Sequence, residues 1–174
     1  MSTDIVTPSA AGGAPATVLD GQAVLTSVPL GTLLRYFDGE PCPPARFTRK
    51  LSAWKNRNGN GRLIEKSFGN STPGSHYPAT FTLHLANYGS GGVIALIVNQ
   101  TMTVTTELRF EVIEQPAPGM VRVLSRDDKR EELHHLAENM AAAEAWMASN
   151  RYLTAVVEIV GEEGAGADPV GRAA

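Results

Sequence analysis

The sequence lacks the features that mark secreted, disulfide-bonded or membrane-spanning proteins. Cys42 is its single cysteine, so an intrachain disulfide cannot form. The first residues have neither the basic stretch nor the apolar core of a secretory signal peptide. The longest uninterrupted apolar run, Val93 to Val98, is far shorter than the roughly 20 residues that a membrane-spanning helix needs. These absences predict a cytoplasmic protein with no membrane partner.

The composition predicts one domain with loose ends. The chain has 174 residues, 43% of them hydrophobic, which is enough for one buried core. Its ends are rich in Ser, Thr, Ala, Gly, Pro or Glu and have too little apolar content to offset the entropy lost on ordering. We therefore expect a disordered N-terminal tail over 1–20, a single α+β domain over 21–160 and a disordered C-terminal tail over 161–174.

A long amphipathic helix is predicted from about Arg126 to Ser149. Ser125 stands where a hydroxyl would cap free backbone N–H groups, and four acidic residues follow near the positive end of the helix dipole. The apolar positions recur at spacings of three and four, which share one helical face: Leu133, Leu136, Met140, Ala143 and Met147. Such a helix needs a sheet on which to pack this stripe.

Alternating apolar and polar residues predict the strands of that sheet. The pattern covers Thr80 to Ala86, where Phe81 and Leu83 would point inward and His84 outward, and Thr103 to Ile113. Val93 to Val98 is apolar on both faces, which is typical of a central strand.

Two further segments, Met120 to Leu124 and Tyr152 to Val160, complete the predicted strands. Short Gly- and Pro-rich turns favour antiparallel neighbours, whereas the connection through the helix would allow a parallel last strand. The predicted fold is α+β: an antiparallel or mixed sheet of about six to seven strands with one long C-terminal helix packed on it.

The segment from Ala45 to Lys66 departs from an average surface. It contains seven cations against Glu65 alone, a formal charge of +6, while the whole chain carries −3. The net charge implies no attraction of the whole molecule to nucleic acid, so any such attraction must be local. Phe47 and Trp54 lie among the cations.

Two local structures fit this segment. The Asn-Gly pairs at Asn58 and Asn60 favour a hairpin with strands near Arg46 to Lys55 and Arg62 to Phe68 and a basic tip at Arg57. The rival is a helix, because Phe47, Leu51 and Trp54 have i, i+4, i+7 spacing after two prolines and before a glycine. We favour the hairpin because it leads directly into a strand at Arg62.

Cations interleaved with an aromatic ring suit an anionic partner, either a nucleic acid or an acidic protein surface. The hypothesis is a non-enzymatic binding module that needs no cofactor. Its partner-binding residues would be Arg46, Arg49, Lys50, Trp54, Lys55, Arg57, Arg62 and Lys66. The plainer interpretation is that these cations only solvate an exposed surface. An alternative function is a protein-interaction or assembly subunit, homo-oligomeric or otherwise, that uses an apolar strand or helix face.

An enzyme with a dispersed site is the third hypothesis. Cys42 with His76 and Asp38 could form a catalytic triad, or a site could be assembled from residues such as His76, His84 and Asp38, but their separation in sequence says nothing about their geometry. Glycine-rich stretches such as Gly89 to Gly92 precede a strand, whereas a dinucleotide-binding glycine motif opens a helix.

Metal binding has one candidate segment in the sequence. Glu131 with His134, and Glu132 with His135, have the E-x-x-H spacing that shares one face of a helix in di-iron bundles. A second such helix is missing from the sequence, so a solvated helix face is the favoured interpretation and no metal is expected.

Overall fold

We describe the fold from a computed structural model, which covers residues 17–90, 93–150 and 155–161. The predicted tails fall mostly on residues outside these ranges. Two residues from the end of the predicted N-terminal tail are ordered by contacts with the domain. Leu19 forms a β-bridge with Phe110, with N–O distances of 2.8 and 2.9 Å. Asp20 caps the first helix, since its Oδ1 accepts a hydrogen bond of 2.8 Å from Ala23 N.

The described residues form three helices and ten strands. The helices are α1 (Gly21–Ser27), α2 (Thr48–Arg57) and α3 (Met140–Ser149). The strands are β1 (Leu33–Phe37), β2 (Gly59–Ser67), β3 (Asn70–Thr72), β4 (Ser75–Tyr77), β5 (Thr80–Ser90), β6 (Val93–Thr103), β7 (Arg109–Glu114), β8 (Val121–Arg126), β9 (Arg130–Ala137) and β10 (Ala155–Ile159).

Strand β2 organises an eight-stranded sheet. One of its edges pairs with β5, which pairs in turn with β6. Its other edge is shared, because its first half pairs with β1 and its second half with β9. Strand β7 adds to β1, and β8 followed by β10 adds to β9. Strands β3 and β4 form a separate hairpin.

Every described strand pair is antiparallel, which confirms the α+β class and the antiparallel sheet. The sheet has more strands than the six or seven predicted. The last strand lies antiparallel to β8, so the parallel arrangement considered for it is absent.

The main core lies between α1 and the sheet. Val24 and Leu25 of α1 are buried against strand residues that include Phe81 and Phe110. The rings of Phe81 and Phe110 meet edge to face, with centroids 5.3 Å apart. This contact joins β5 to β7 across the core, so residues far apart in sequence fix the shape of the sheet.

The predicted long helix from Arg126 to Ser149 is wrong in its first half. Arg126 ends β8, a turn follows, and the chain returns as β9. Asp127 stabilises the turn, because its Oδ1 accepts hydrogen bonds of 2.8 Å from both Lys129 N and Arg130 N. The helix that remains, α3, is short and is capped by Asn139 through Ala142 N at 2.9 Å.

A β-bulge in β9 explains why helical spacing was misleading here. Leu133 and Ala137, four residues apart, would share one face of a regular strand. The register skips His134, since Val123 pairs with His135 and Leu124 with Leu133. Leu133 therefore joins the main core, and Ala137 joins a second core beneath α3.

The basic segment is a helix, α2, and the predicted hairpin is wrong. Both Asn-Gly pairs begin or lie in β2 instead of forming a turn. A Cβ on Gly59 would lie 2.8 Å from Tyr36 Oη, and one on Gly61 would lie 2.8 Å from Leu83 Cβ. These glycines are therefore required by close packing against neighbouring strands.

Two strand predictions also need correction. The stretch from Thr103 to Ile113 is interrupted, because β6 ends at Thr103 and β7 begins only at Arg109. Strand β6, predicted to be central from its apolar residues, pairs with β5 alone among the described residues and is an edge strand. Within the described ranges, no helix is long and apolar enough to span a bilayer.

Candidate functional site

Four of the seven cations of the basic segment lie on or beside helix α2 and face solvent. Arg49, Lys50 and Lys55 on the helix, and Arg46 just before it, are exposed. Among the described residues, none of these four cations has an ion-pair partner. The helix contains no acidic residue. We call these four residues the α2 cations.

The other three cations of the segment have structural partners. Arg57 Nε lies 3.0 Å from Asp38 Oδ2, and its Nη2 lies 3.9 Å from Glu107 Oε2. Arg62 donates a hydrogen bond to the carbonyl oxygen of Gly31. Lys66 is buried, with 7% of its surface exposed. The structure therefore brings together only part of the predicted set.

Lys66 lies inside a charged network of the sheet. It lies opposite Glu131 in the pairing of β2 with β9. Glu131 also forms an ion pair with Arg126, in which Oε1 of Glu131 lies 2.7 Å from Nε of Arg126. Burial lowers the pKa of Lys66; Glu131 opposes this shift, and the nearby Arg122 and Arg126 add to it. Lys66 faces other residues of the sheet, so its charge is not presented to a partner.

The two aromatic rings of the segment contact groups of this chain. Trp54 is half-buried, and its Nε1 donates a hydrogen bond of 2.8 Å to the carbonyl oxygen of Glu40. Two cations lie over the ring of Phe47: Cζ of Arg46 is 4.8 Å and Nζ of Lys50 is 5.6 Å from the ring centroid. Trp54 therefore positions the helix, and Phe47 orients two of the α2 cations.

Hydrogen bonds hold α2 at its C-terminal end. Asn58 Nδ2 donates to Trp54 O and to Asp38 Oδ1, both at 2.9 Å. The Asn58 hydrogen bond is the main reason that the pKa of Asp38 lies below its ordinary value, with Arg57 contributing in the same direction. Gln100 Nε2 of β6 donates to Asn56 O at 3.4 Å. No residue of α2 is buried.

A cleft of about 250 Å³ opens between α2 and the sheet. Its lining residues are Tyr36, Lys55, Asn56, Leu85, Asn99 and Gln100. Lys55, on the other flank of the helix from Arg46 and Lys50, is therefore the α2 cation that borders a concavity. A larger cleft of about 520 Å³ lies at the Gln115–Pro118 turn and includes Arg122.

The residues considered for catalysis occupy separate places. His84 Nδ1 lies 3.0 Å from Asn99 Oδ1, and Asp38 contacts Arg57 and Asn58. His76 lies opposite Ser71 in the β3–β4 hairpin, and Cys42 is exposed before α2. Among the described residues, no hydrogen bond or ion pair joins any of these groups to another.

The E-x-x-H pairs lie on strand β9 and not on a helix, so the helical geometry for which this spacing was considered is absent. His134 Nε2 lies 2.6 Å from Ser125 Oγ, which accounts for its orientation. His135 stacks on Trp146 of α3 at a centroid distance of 4.8 Å, and burial lowers its pKa. Both histidines contribute to packing of the sheet and α3.

A second unusual surface was not predicted. The outer ends of β5 and β6 form a ribbon beyond the core, which we call the β5–β6 arm and define as residues 86–90 and 94–98. Its largest apolar side chains are more than half exposed: Tyr88, Ile94, Leu96 and Ile97. The sequence signal was the uncharged apolar run at Val93 to Val98, which was assigned to a buried strand instead.

These observations describe an α+β protein with an antiparallel sheet, a basic helix presented to solvent and an apolar edge strand. Residues 19–164 match the model of the family described as uncharacterised conserved protein UCP036055. This match covers most of the chain, so the chain belongs to that family. No curated protein and no solved structure matches it significantly.

Proposed function

We propose that this chain is a non-enzymatic binding module that recognises an anionic macromolecule through α2. The observation that supports the proposal is the set of four exposed cations on and beside one helix, for which the described part of the chain offers no ion-pair partner. Three of them, Arg46, Arg49 and Lys50, lie around its first turn. The first turn contains no acidic residue, so the positive end of the helix dipole adds to their charge.

The packing of α2 supports a role outside the core. A surface helix normally buries an apolar face, and that burial provides most of its stability. In α2 no residue is buried, and Leu51 and Trp54 are only partly covered. The helix is instead attached by hydrogen bonds at its C-terminal end, from Asn58 and Gln100. Its exposed cations are then its main contribution to the molecule.

The partner is recognised by charge more than by base stacking. Trp54 is half-buried and hydrogen-bonded, and Phe47 already contacts two cations. Without a free aromatic platform, the helix offers contacts to phosphates or carboxylates. Both a nucleic acid backbone and an acidic protein surface supply such groups, and the experiment below separates them.

Fluorescence anisotropy tests the proposal with labelled single-stranded RNA, duplex DNA and poly-glutamate over a range of salt concentrations. If phosphates are the ligand, four cation–phosphate contacts give a slope of log affinity against log salt of about −3. The double variant Arg49→Gln/Lys50→Gln should bind several-fold more weakly and with a slope closer to zero by about 2. Preferential binding of poly-glutamate would instead indicate an acidic protein partner.

The matched control is Arg109→Gln/Lys129→Gln, which removes two exposed cations outside α2. It should leave affinity and salt slope nearly unchanged. If none of the three polymers binds at 50 mM salt, or if both double variants weaken binding equally, α2 is not an anion-binding element.

A further inference from the structure

The cleft of about 250 Å³ between α2 and the sheet is kept open by two glycines. Strand β2 lies between β1 and β5, and its glycines at 59 and 61 are close to side chains that line the cleft. A Cβ on Gly59 would lie 2.8 Å from Tyr36 Oη, and one on Gly61 would lie 2.8 Å from Leu85 Cδ2. Any side chain at these two positions would therefore crowd the lining of the cleft.

Tyr36 brings a hydroxyl group without a protein partner to this cleft. The residue is 3% exposed, and its hydroxyl forms no hydrogen bond within the described ranges. Buried tyrosine hydroxyls usually have a partner. In the same ranges, the fully enclosed side-chain atoms that lack one are Thr32 Oγ1 and Arg122 Nε, so the Tyr36 hydroxyl keeps access to the cleft that Tyr36 lines. Burial raises the pKa of Tyr36, which keeps this hydroxyl neutral and able to donate or accept.

Two side-chain amides of β6 are held in place with one end unused. Asn99 Oδ1 lies 3.0 Å from His84 Nδ1, and Gln100 Nε2 donates a hydrogen bond of 3.4 Å to Asn56 O. In the described part of the chain, no hydrogen bond involves Asn99 Nδ2 or Gln100 Oε1. The amides therefore offer one donor and one acceptor in addition to the Tyr36 hydroxyl.

We propose that this cleft binds a small hydroxylated anion, whose anionic group contacts Lys55 and whose hydroxyl groups contact Tyr36, Asn99 and Gln100. Lys55 is the one charged residue among the six that line the cleft, so no carboxylate there repels an anion. Alternating donors and acceptors suit hydroxyl groups, which both donate and accept.

The size of the cleft limits the ligand. Its volume lies below the range of about 300–1,000 Å³ that is typical of sites for drug-sized ligands. A sugar phosphate or a sugar acid is small enough, and both carry hydroxyl groups beside one anionic group. The site is distinct from the polymer contacts proposed for α2, with which it shares only Lys55.

Isothermal titration calorimetry of the full chain at low salt tests this site with ribose 5-phosphate and gluconate. At least one of them should bind with a Kd of about 1 mM, as expected for a ligand of this size. Tighter binding of ribose 5-phosphate would identify a phosphate ligand, and tighter binding of gluconate a carboxylate ligand. Neutral ribose and inorganic phosphate each make only part of the contacts and should bind at least about 5-fold more weakly.

Tyr36→Phe removes the hydroxyl alone and should weaken binding of the better anion about 5-fold, with an unchanged Tm because no described residue bonds to that hydroxyl. The matched control is Tyr77→Phe, which removes an exposed hydroxyl from the β3–β4 hairpin and should leave the affinity unchanged. Lys55→Gln should weaken binding about 10-fold, whereas Lys129→Gln in the β8–β9 turn should not.

Three results would overturn the proposal. They are no measurable heat with either anion, equal affinity of Tyr36→Phe and Tyr77→Phe, and binding of inorganic phosphate as tight as that of ribose 5-phosphate. Tyr36→Phe keeps every α2 cation, so its affinity for RNA, DNA and poly-glutamate should equal that of the wild type. Failure of the small-anion site can therefore be told apart from failure of polymer binding by α2.

Discussion

The indole N–H of Trp54 donates a 2.8 Å hydrogen bond to the carbonyl oxygen of Glu40, which ties α2 to the segment that precedes it. This contact turns the most conspicuous aromatic residue of the basic segment into a structural anchor. It also leaves the α2 cations as the parts of the helix that are free to contact a partner.

Trp54→Phe should loosen α2 without abolishing its charge. The variant loses one hydrogen bond, worth about 1 kcal/mol of local stability. We expect hydrogen exchange of the α2 amides to accelerate by about 5-fold, which that free-energy loss implies. Amides of α3 in the same spectrum serve as the internal control and should not change. Unaltered exchange in α2 would show that the contact with Glu40 does not hold the helix.

Asp38→Asn should change how stability depends on pH. The pKa of Asp38 is lowered from 3.8 in the folded chain, chiefly by the Asn58 hydrogen bond. Its ionised carboxylate therefore stabilises the fold above pH 3.8, and this stabilisation is lost as the pH falls through the lowered pKa. Urea unfolding should show a larger difference between wild type and variant at pH 7 than at pH 3.

The control for Asp38 is Glu138→Gln, an exposed carboxylate two residues before α3. It should unfold at nearly the same urea concentration as the wild type at both pH values. If Asp38→Asn changes stability equally at both pH values, the negative charge of the carboxylate contributes nothing to stability beyond its hydrogen bonds.

Lys66→Met should raise thermal stability at pH 7. It removes a buried charge, and Glu131 keeps its ion pair with Arg126. A gain of about 1 kcal/mol corresponds to a rise in Tm of about 2–4 °C. Burial lowers the pKa of Lys66 from 10.5, so wild-type stability rises with pH between the lowered pKa and 10.5. The advantage of the variant should therefore shrink in alkaline buffer.

Scanning calorimetry at pH 7 and pH 10 measures this effect. Lys129→Met replaces an exposed lysine in the β8–β9 turn and is expected to give no comparable gain. Destabilisation by Lys66→Met would show that the network around Glu131 needs the lysine charge.

Local patterns predicted the parts of the fold that local physics controls. The alternation around Phe81 and Leu83 predicted β5, because burial on one sheet face requires period-two spacing. The same reasoning failed at Leu133, Leu136 and Met140, whose spacing also suits a helix. There the turn at Asp127 and the bulge at His134 impose a strand, and both depend on pairing with β8.

The candidate site was likewise only partly predictable from the sequence. Charge counting identified the segment that contains α2, but only three-dimensional contacts separate the exposed Lys50 from the buried Lys66 and the ion-paired Arg57. The helix itself was the rejected alternative for this segment. Asn-Gly pairs are strong hairpin signals. In this fold, however, Gly59 and Gly61 are needed because Tyr36 and Leu83 approach them too closely for a side chain.

The sequence by itself determined the α+β class, the segregation of positive charge and the uncharged apolar run of β6, since these follow from residue types and short spacings. Tertiary structure decided which cations are free and whether that run is central or at an edge. Both outcomes depend on which strands become neighbours. Neighbours are selected by packing between residues distant in sequence, such as Phe81 and Phe110, which no local pattern encodes.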